Sequence, residues 1–276
     1  MKAKPKSVRT MFIEKKRNRM LKRNQNLLVC VVGGTGSGKT YGAITLADEL
    51  MNGNMNPERH IVFDIEHFMD LINNGHIKKG EVVIFEEAGV NISSKDWGTK
   101  ANKNINKVLQ TCRHLNFGVI FTLPSFKFMD NSSRMLQHSV FVADETNINY
   151  TTNQSKFKVY DLINNPMKSI EPMTIFPKFY YENQLVQMKY IYVKKPREEL
   201  LEVYEKRKTE FTTKLNKQVQ SEIVQERLDS EAKVKFSAFC KKCGARNSFD
   251  FSKKRMEWTC RRCGGIVKSN PFKKNE

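Results

Sequence analysis

The chain has 276 residues, with 48 lysines and arginines against 29 aspartates and glutamates, a formal net charge of +19 and a pI near 9.7. That length suits one large domain with a substantial core plus one or two small appendages. The charge calls for a polyanionic partner, nucleic acid ahead of an acidic membrane surface, whereas no apolar run approaches the ~20 residues that cross a bilayer. The basic N-terminus has no apolar core behind it and does not read as a signal peptide. No membrane insertion and a cytoplasmic location are expected.

Residues 1–25 hold ten lysines and arginines against one acid, Glu14. They form a basic arm: either a solvated tail, or a segment with a weak helical stripe of Met11, Phe12, Met20 and Leu21 that orders on contact with a partner chain or a phosphate backbone. The apolar run 27–32 predicts a buried strand. It leads into Gly33-Gly34-Thr35-Gly36-Ser37-Gly38-Lys39-Thr40, which matches the phosphate loop G-x-x-x-x-G-K-[ST] at every required position. Glycines are needed there so that successive N–H groups can approach the phosphates unobstructed. Lys39 then reaches the β- and γ-phosphates, and Thr40 offers its hydroxyl to Mg²⁺. A helix over 41–51, opening with Tyr41, adds an N-terminus that favours an anion. ATP and Mg²⁺ are the expected ligands.

Alternating strand and helix signals continue to about residue 144: strands at 60–64, 81–85, 117–123 and 139–142, helices at 66–73, 100–114 and 127–136. This pattern implies an α/β fold, a parallel sheet sandwiched by helices. The strand Val82-Val83-Ile84-Phe85 ends in Glu86-Glu87 and reads as a Walker B strand. Glu86 takes the metal role alongside Thr40, although aspartate is commoner there, and Glu87 is the base that accepts the proton of the attacking water. On the following strand, Thr122 and Ser125 stand where a phosphate-sensing hydroxyl belongs, although threonine is also an ordinary strand residue. Arg113, near the end of the preceding helix, and its rival Arg134 are candidates for an arginine that stabilises transition-state charge.

Past residue 144, short alternating runs at 156–162, 173–176 and 186–193 predict added β-hairpins. Pro196 then opens a long charged helix to about residue 235, whose thin apolar stripe suits a spacer. Cys240-x-x-Cys243 and Cys260-x-x-Cys263 enclose sixteen residues, a spacing that falls within the zinc-site pattern. Four thiolates make a closed tetrahedral, structural Zn²⁺ site; Phe239, Phe249 and Trp258 are its expected core. The many basic residues around it suit either phosphate contact or the docking of a protein. Cys30 and Cys112 read as small core residues. The domain plan is therefore a basic arm (1–25), a phosphate-loop domain with a β extension (26–195), a helical linker (196–235) and a zinc ribbon (236–270).

Residues 27–145 resemble the HerA/FtsK-like branch of P-loop ATPases that move DNA, in particular the short viral, plasmid and zonular-occludens-toxin-like members. The likeness rests on Gly33 to Thr40, on Glu86-Glu87, and on Arg113-His114 leading through Gly118 into the strand that ends at Ser125. It implies a RecA/ASCE-like fold and ATP hydrolysis coupled to DNA movement by a homo-oligomeric ring, a hexamer, in which Arg113 acts on the neighbouring subunit. Members usually close that strand with glutamine; here Leu123 and Pro124 follow Thr122. The alternative is a nucleotide-switched DNA-binding or assembly protein with slow hydrolysis.

Overall fold

The computed structural model describes residues 7–86, 107–144, 154–164, 171–181, 183–232, 235–250 and 258–267. The chain divides into two compact units, Met1–Lys208 and Thr209–Glu276.

In the first unit the runs of Val, Ile, Leu and Phe become strands buried on both faces, as a parallel sheet covered by helices requires. These are β1 (Leu27–Val32), β2 (Ile61–Val62), β3 (Val82–Phe85), β4 (Gly118–Leu123) and β5 (Ser139–Ala143). Their order across the sheet is β5-β1-β4-β3-β2, all parallel. The protein is therefore of the expected α/β class, with a mostly parallel central sheet flanked by helices. The carboxyl ends of β1, β3 and β4, where ligands of open α/β sheets bind, carry the phosphate loop, Glu86 and Thr122.

The sheet is extended by antiparallel strands. β6 (Gln154–Ile163) pairs with β5, and its free edge takes β10 (Tyr190–Lys194) along one half and β7 (Met173–Ile175) along the other. Between β7 and β10, β8 (Lys178–Tyr181) and β9 (Gln184–Gln187) form a separate hairpin. The expected run at 186–193 is thus two strands.

Among the described residues the helices include α1 (Val8–Leu21), α2 (Lys39–Leu50), α3 (Pro57–His60), α4 (Ile65–Asn73), α5 (Asn131–Leu136) and α6 (Glu198–Ala232), and residues 107–111 are helical as well. One face of the sheet packs Leu28, Cys30, Val83, Phe85, Val119 and Phe121 against Phe68 and Leu71 of α4; Cys112 is buried there too, so both lone cysteines are core residues. Burial holds the Cys30 thiol far above its usual value.

Within the basic arm, Val8–Leu21 form a packed helix. Ser7 caps α1, its Oγ accepting from Thr10 N at 3.1 Å. Phe12 and Met20 are fully buried, and Phe12 meets Phe141 and Phe179 edge-on at 5.8 and 6.2 Å. Lys16 enters the interior with them, where its ammonium donates to Asp161 of β6 at 2.6 Å and to Ser139. Burial lowers its pKa despite that carboxylate. The contacts are long-range in sequence, so the charge block alone did not reveal them.

Gly42 sets the spacing between α2 and β6. A Cβ there would lie 2.3 Å from Cζ of Phe157, a ring that is 1 % exposed. Alanine in place of a helical glycine gains about 1 kcal/mol of propensity, whereas overpacking costs about 1–3 kcal/mol. Gly42→Ala is therefore expected to lower the thermal midpoint, and Phe157→Leu added to it to recover part of the loss; calorimetric melts of the two variants check this.

Candidate nucleotide site and metal centre

The phosphate loop leaves β1 at Gly33 and enters α2 at Lys39. Two glycines are fixed by close approach: a Cβ on Gly33 would stand 2.6 Å from Ser37 Oγ and 2.7 Å from Ala143 Cβ, and one on Gly38 would stand 2.3 Å from Ser155 Oγ. Gly38 also has φ +76°, the left-handed region that glycine tolerates. It precedes α2 with no side-chain cap, which leaves that helix end to the loop and its ligand. Thr35 and Gly36 are exposed at the loop tip. Ser37 is buried, and among the described residues its Oγ has no hydrogen-bond partner. Lys39 curls back so that Nζ donates to Gly34 O at 3.3 Å. An orphaned buried hydroxyl and a lysine folded onto its own loop fit a cradle for an anion.

Glu86 sits at the centre. Its N–H donates to Val62 O at 2.8 Å, which continues the β3–β2 ladder and fixes the backbone. The residue is only 1 % exposed, so its carboxylate must be compensated. Thr40 Oγ1 donates to Oε1 at 2.8 Å, and Thr122 Oγ1 donates to Oε2 at 2.9 Å. The structure thus brings Thr40, Glu86 and Thr122 together across three strand ends. Thr122 is fully buried, and its bond to Glu86 places its hydroxyl beside the end of β3.

Two further groups complete the carboxylate, and both come from α6. Tyr204 OH donates to Glu86 Oε1 at 3.0 Å, and Lys208 Nζ donates to the same oxygen at 3.2 Å. Burial, then the Glu86 charge, push the Tyr204 phenol far above its usual value, so it stays a donor. These residues are held in place by a track of contacts along α2. Arg197 forks onto Asp48 at 3.1 and 3.2 Å, Thr45 Oγ1 donates to Lys194 O at 2.9 Å, and Tyr41 OH donates to Glu205 at 2.6 Å. The Glu205 hydrogen bond is the main reason the Tyr41 phenol is pushed up to about 12. Tyr41 and Tyr204 also meet edge-to-face at 6.4 Å, and Arg207 donates to the Ile61 carbonyl at 2.8 Å. The expected spacer is, over its first turns, part of the first unit: Leu200, Leu201 and Tyr204 are buried. Their i, i+1, i+4 spacing was the available signal, diluted by the polar residues beyond.

Glu87 lies outside the described residues. The backbone of Arg113 lies in the turn Cys112–Leu115, before β4, at the opposite end of that strand from Thr122 and Glu86. Arg134 donates to Glu171 at 2.7 Å. Ser125 caps the short turn Phe126–Phe128, its Oγ accepting from Lys127 N at 3.3 Å.

In the second unit the cysteine sulfurs of Cys240, Cys243, Cys260 and Cys263 all lie within 4.8 Å of one another. Cys240 and Cys263 are 3.6 Å apart, as are Cys243 and Cys260. A tetrahedron of thiolates about 2.3 Å from Zn²⁺ has edges of about 3.8 Å, so the set fits that ion. Two matching turns supply it. Gly244 N donates to Cys240 O at 2.8 Å and Gly264 N to Cys260 O at 2.9 Å, with φ +69° and +67° at the two glycines. The backbone N–H groups of Cys263 and Arg262 pull the Cys260 thiol down to about 6, and those of Cys243 and Lys242 lower Cys240. At Cys243 the Ala245 N–H pulls the other way from the net shift: neighbouring sulfurs and burial outweigh it and push that thiol up to about 11. Asn247, which the sequence did not single out, ties the knuckles together, accepting from Arg261 N at 3.0 Å and donating to Cys260 Sγ at 3.4 Å. Phe239 is 68 % exposed and is no core residue; Ala238, Ala245 and Val267 pack around the cysteines instead. The side chains of Phe249 and Trp258 lie outside the described residues.

No family model matches the chain, and neither does any curated protein. Among solved structures, it is similar to the N-terminal domain of zonular occludens toxin from Neisseria meningitidis, at 19 % identity over 55 % of this chain and 94 % of that one, with a TM-score of 0.35. It is also similar to a KaiC-like protein from Pyrococcus horikoshii, at 16 % identity over 60 % of this chain and 89 % of that one, with a TM-score of 0.25. These likenesses are too slight to carry function across. Among the described residues no helix is long and apolar enough to cross a membrane.

Protein purified without chelator is expected to contain zinc in equimolar amount, and Cys240→Ser to lose it. Asn247→Ala is expected to weaken zinc binding by about 10–100-fold, as loss of an outer hydrogen bond does. Competition with a chromogenic chelator measures both.

Proposed function

We propose that the chain is an ATP-hydrolysing motor acting on DNA, of the HerA/FtsK kind, that works as a hexameric ring. The observation that carries the reading is the meeting of Thr40 and Glu86 at 2.8 Å beside a loop of phosphate-binding sequence. A hydroxyl and a carboxylate at the end of such a loop are the donor set for Mg²⁺. Thr40 and Glu86 would hold that ion, which when bound neutralises charge on the phosphates. Lys39 and the N–H groups of Gly34 to Thr40 bind and orient the phosphates, and Glu87 takes the proton of the attacking water. Arg113 serves the neighbouring subunit; its backbone, at the far end of β4 from its own Glu86, favours a role in trans over one in cis.

The polymer is argued from charge and surface. Besides the net charge of +19, the outward face of the antiparallel extension sets lysines over aromatic rings: Lys156 lies 4.3 Å from the Tyr190 ring centre, Lys158 5.4 Å from that of Tyr160 and Lys189 6.0 Å from that of Phe176. Tyr190 and Tyr192 are 42 % and 54 % exposed. Cations interleaved with open rings suit phosphates and unstacked bases. The zinc ribbon and the basic N-terminal helix add further positive surface. The second reading, a nucleotide-switched DNA-binding protein with slow hydrolysis, is favoured by one feature: Tyr204 and Lys208 both occupy Glu86.

The ATPase rate is expected to rise severalfold with single- or double-stranded DNA and to fall by about 100-fold or more in Glu87→Gln. Mixing Arg113→Ala with Lys39→Ala subunits should restore part of the activity. A rate indifferent to DNA, with nucleotide binding intact, favours the switch; failure of the mixture to recover activity removes Arg113 from the mechanism.

A further inference from the structure

Lys208 stands in an unusual place for a linker residue. Its Nζ lies 3.2 Å from Glu86 Oε1, the same oxygen that accepts from Thr40 Oγ1 at 2.8 Å and from Tyr204 OH at 3.0 Å. Tyr204 and Lys208 are four residues apart on α6, hence on one helical face, and that face is pinned to the phosphate-loop helix by the contacts of Arg197 and Glu205 with Asp48 and Tyr41. The Glu86 side chain is fully buried, while that of Lys208 is 32 % exposed. The carboxylate is committed to the site, and the ammonium, on a flexible four-carbon stem, lies at its mouth.

We infer that Lys208 is a second cation for the terminal phosphate of the nucleotide, supplied in cis by α6, and that Tyr204 is the positioning residue that keeps Glu86 turned toward Thr40. The inference rests on the nucleotide reading and adds to it. A divalent cation held by Thr40 and Glu86 would supply part of the compensation of Glu86, and the Lys208 ammonium at the mouth of the site could then face a second anion. The terminal phosphate in the loop beside Thr40 is the nearest that the proposed ligand provides. A diphosphate lacks that group. Lys208 thus separates triphosphate from diphosphate, whereas Lys39 and the loop N–H groups bind both. A plain structural role, in which Lys208 only balances the buried Glu86 charge, predicts no such separation.

The test is calorimetric titration of the full chain, with Mg²⁺, by ADP and by a non-hydrolysable ATP analogue. Lys208→Ala is expected to lower the ratio of triphosphate to diphosphate affinity by about tenfold, the scale of one charge-assisted contact, while leaving ADP affinity unchanged. Lys208→Gln, which keeps a hydrogen bond to Glu86 without the charge and so guards against a folding defect, is expected to behave as Lys208→Ala does; Lys208→Arg should retain most of the preference. Tyr204→Phe is expected to keep the ratio but to raise the Mg²⁺ concentration needed for half-maximal analogue binding. An unchanged ratio in both neutral Lys208 variants, or an equal loss for both nucleotides, overturns the inference and leaves the nucleotide reading standing. Wild-type protein that binds neither nucleotide overturns both.

Discussion

A carboxylate withdrawn from water has to be answered by donors, and the answer to Glu86 organises the first unit. Thr40 comes from the start of α2, Thr122 from the end of β4, and Tyr204 and Lys208 from α6. Four donors from three elements converge on one side chain that is 1 % exposed. Because a buried charge without partners is far costlier than its net contribution with them, the positions of these elements are mutually dependent. The phosphate loop can open onto a ligand only where Glu86 also faces, and α6 can leave the unit only after it has passed that point.

This dependence explains which parts of the site were legible in the sequence. The loop could be read from Gly33 to Thr40 because its glycines answer a local demand, the room for backbone to approach an anion. Glu86 could be read because an apolar strand ending in acids has few other uses. The parallel sheet followed from apolar runs spaced by helices, and its five strands fall where the runs are. Thr122 was found, but its partner was not: only the strand order β1-β4-β3 places its hydroxyl against Glu86. Tyr204 and Lys208 lie 118 and 122 residues from Glu86 in the chain. No local pattern marks such a contact, and the surrounding charge made α6 look like a spacer.

The same division holds elsewhere. The cysteine spacing anticipated the four-sulfur cluster because each knuckle is a short turn whose glycines and thiols lie within a few residues. Of the aromatic core expected there, Phe239 is exposed, and small residues pack beside the sulfurs. A metal on the four sulfurs would supply much of the folding energy of so small a module. At the N-terminus, charge masked burial. Lys16 is paired inside with Asp161, far along the chain, and residues 8–21 of the basic segment form a helix packed on this chain's own core, where the sequence left open a tail or a helix ordered by a partner.

The account stands on Thr40 and Glu86 forming one cation-dependent site with the phosphate loop. The most direct measurement is calorimetric binding of a non-hydrolysable ATP analogue to the full chain with Mg²⁺ and with excess chelator, in wild type and in Glu86→Gln. The predicted result is an affinity about tenfold or more higher with Mg²⁺ in the wild type, and a much smaller difference in the variant. Equal wild-type affinity with and without Mg²⁺, or no binding in either condition, would contradict it.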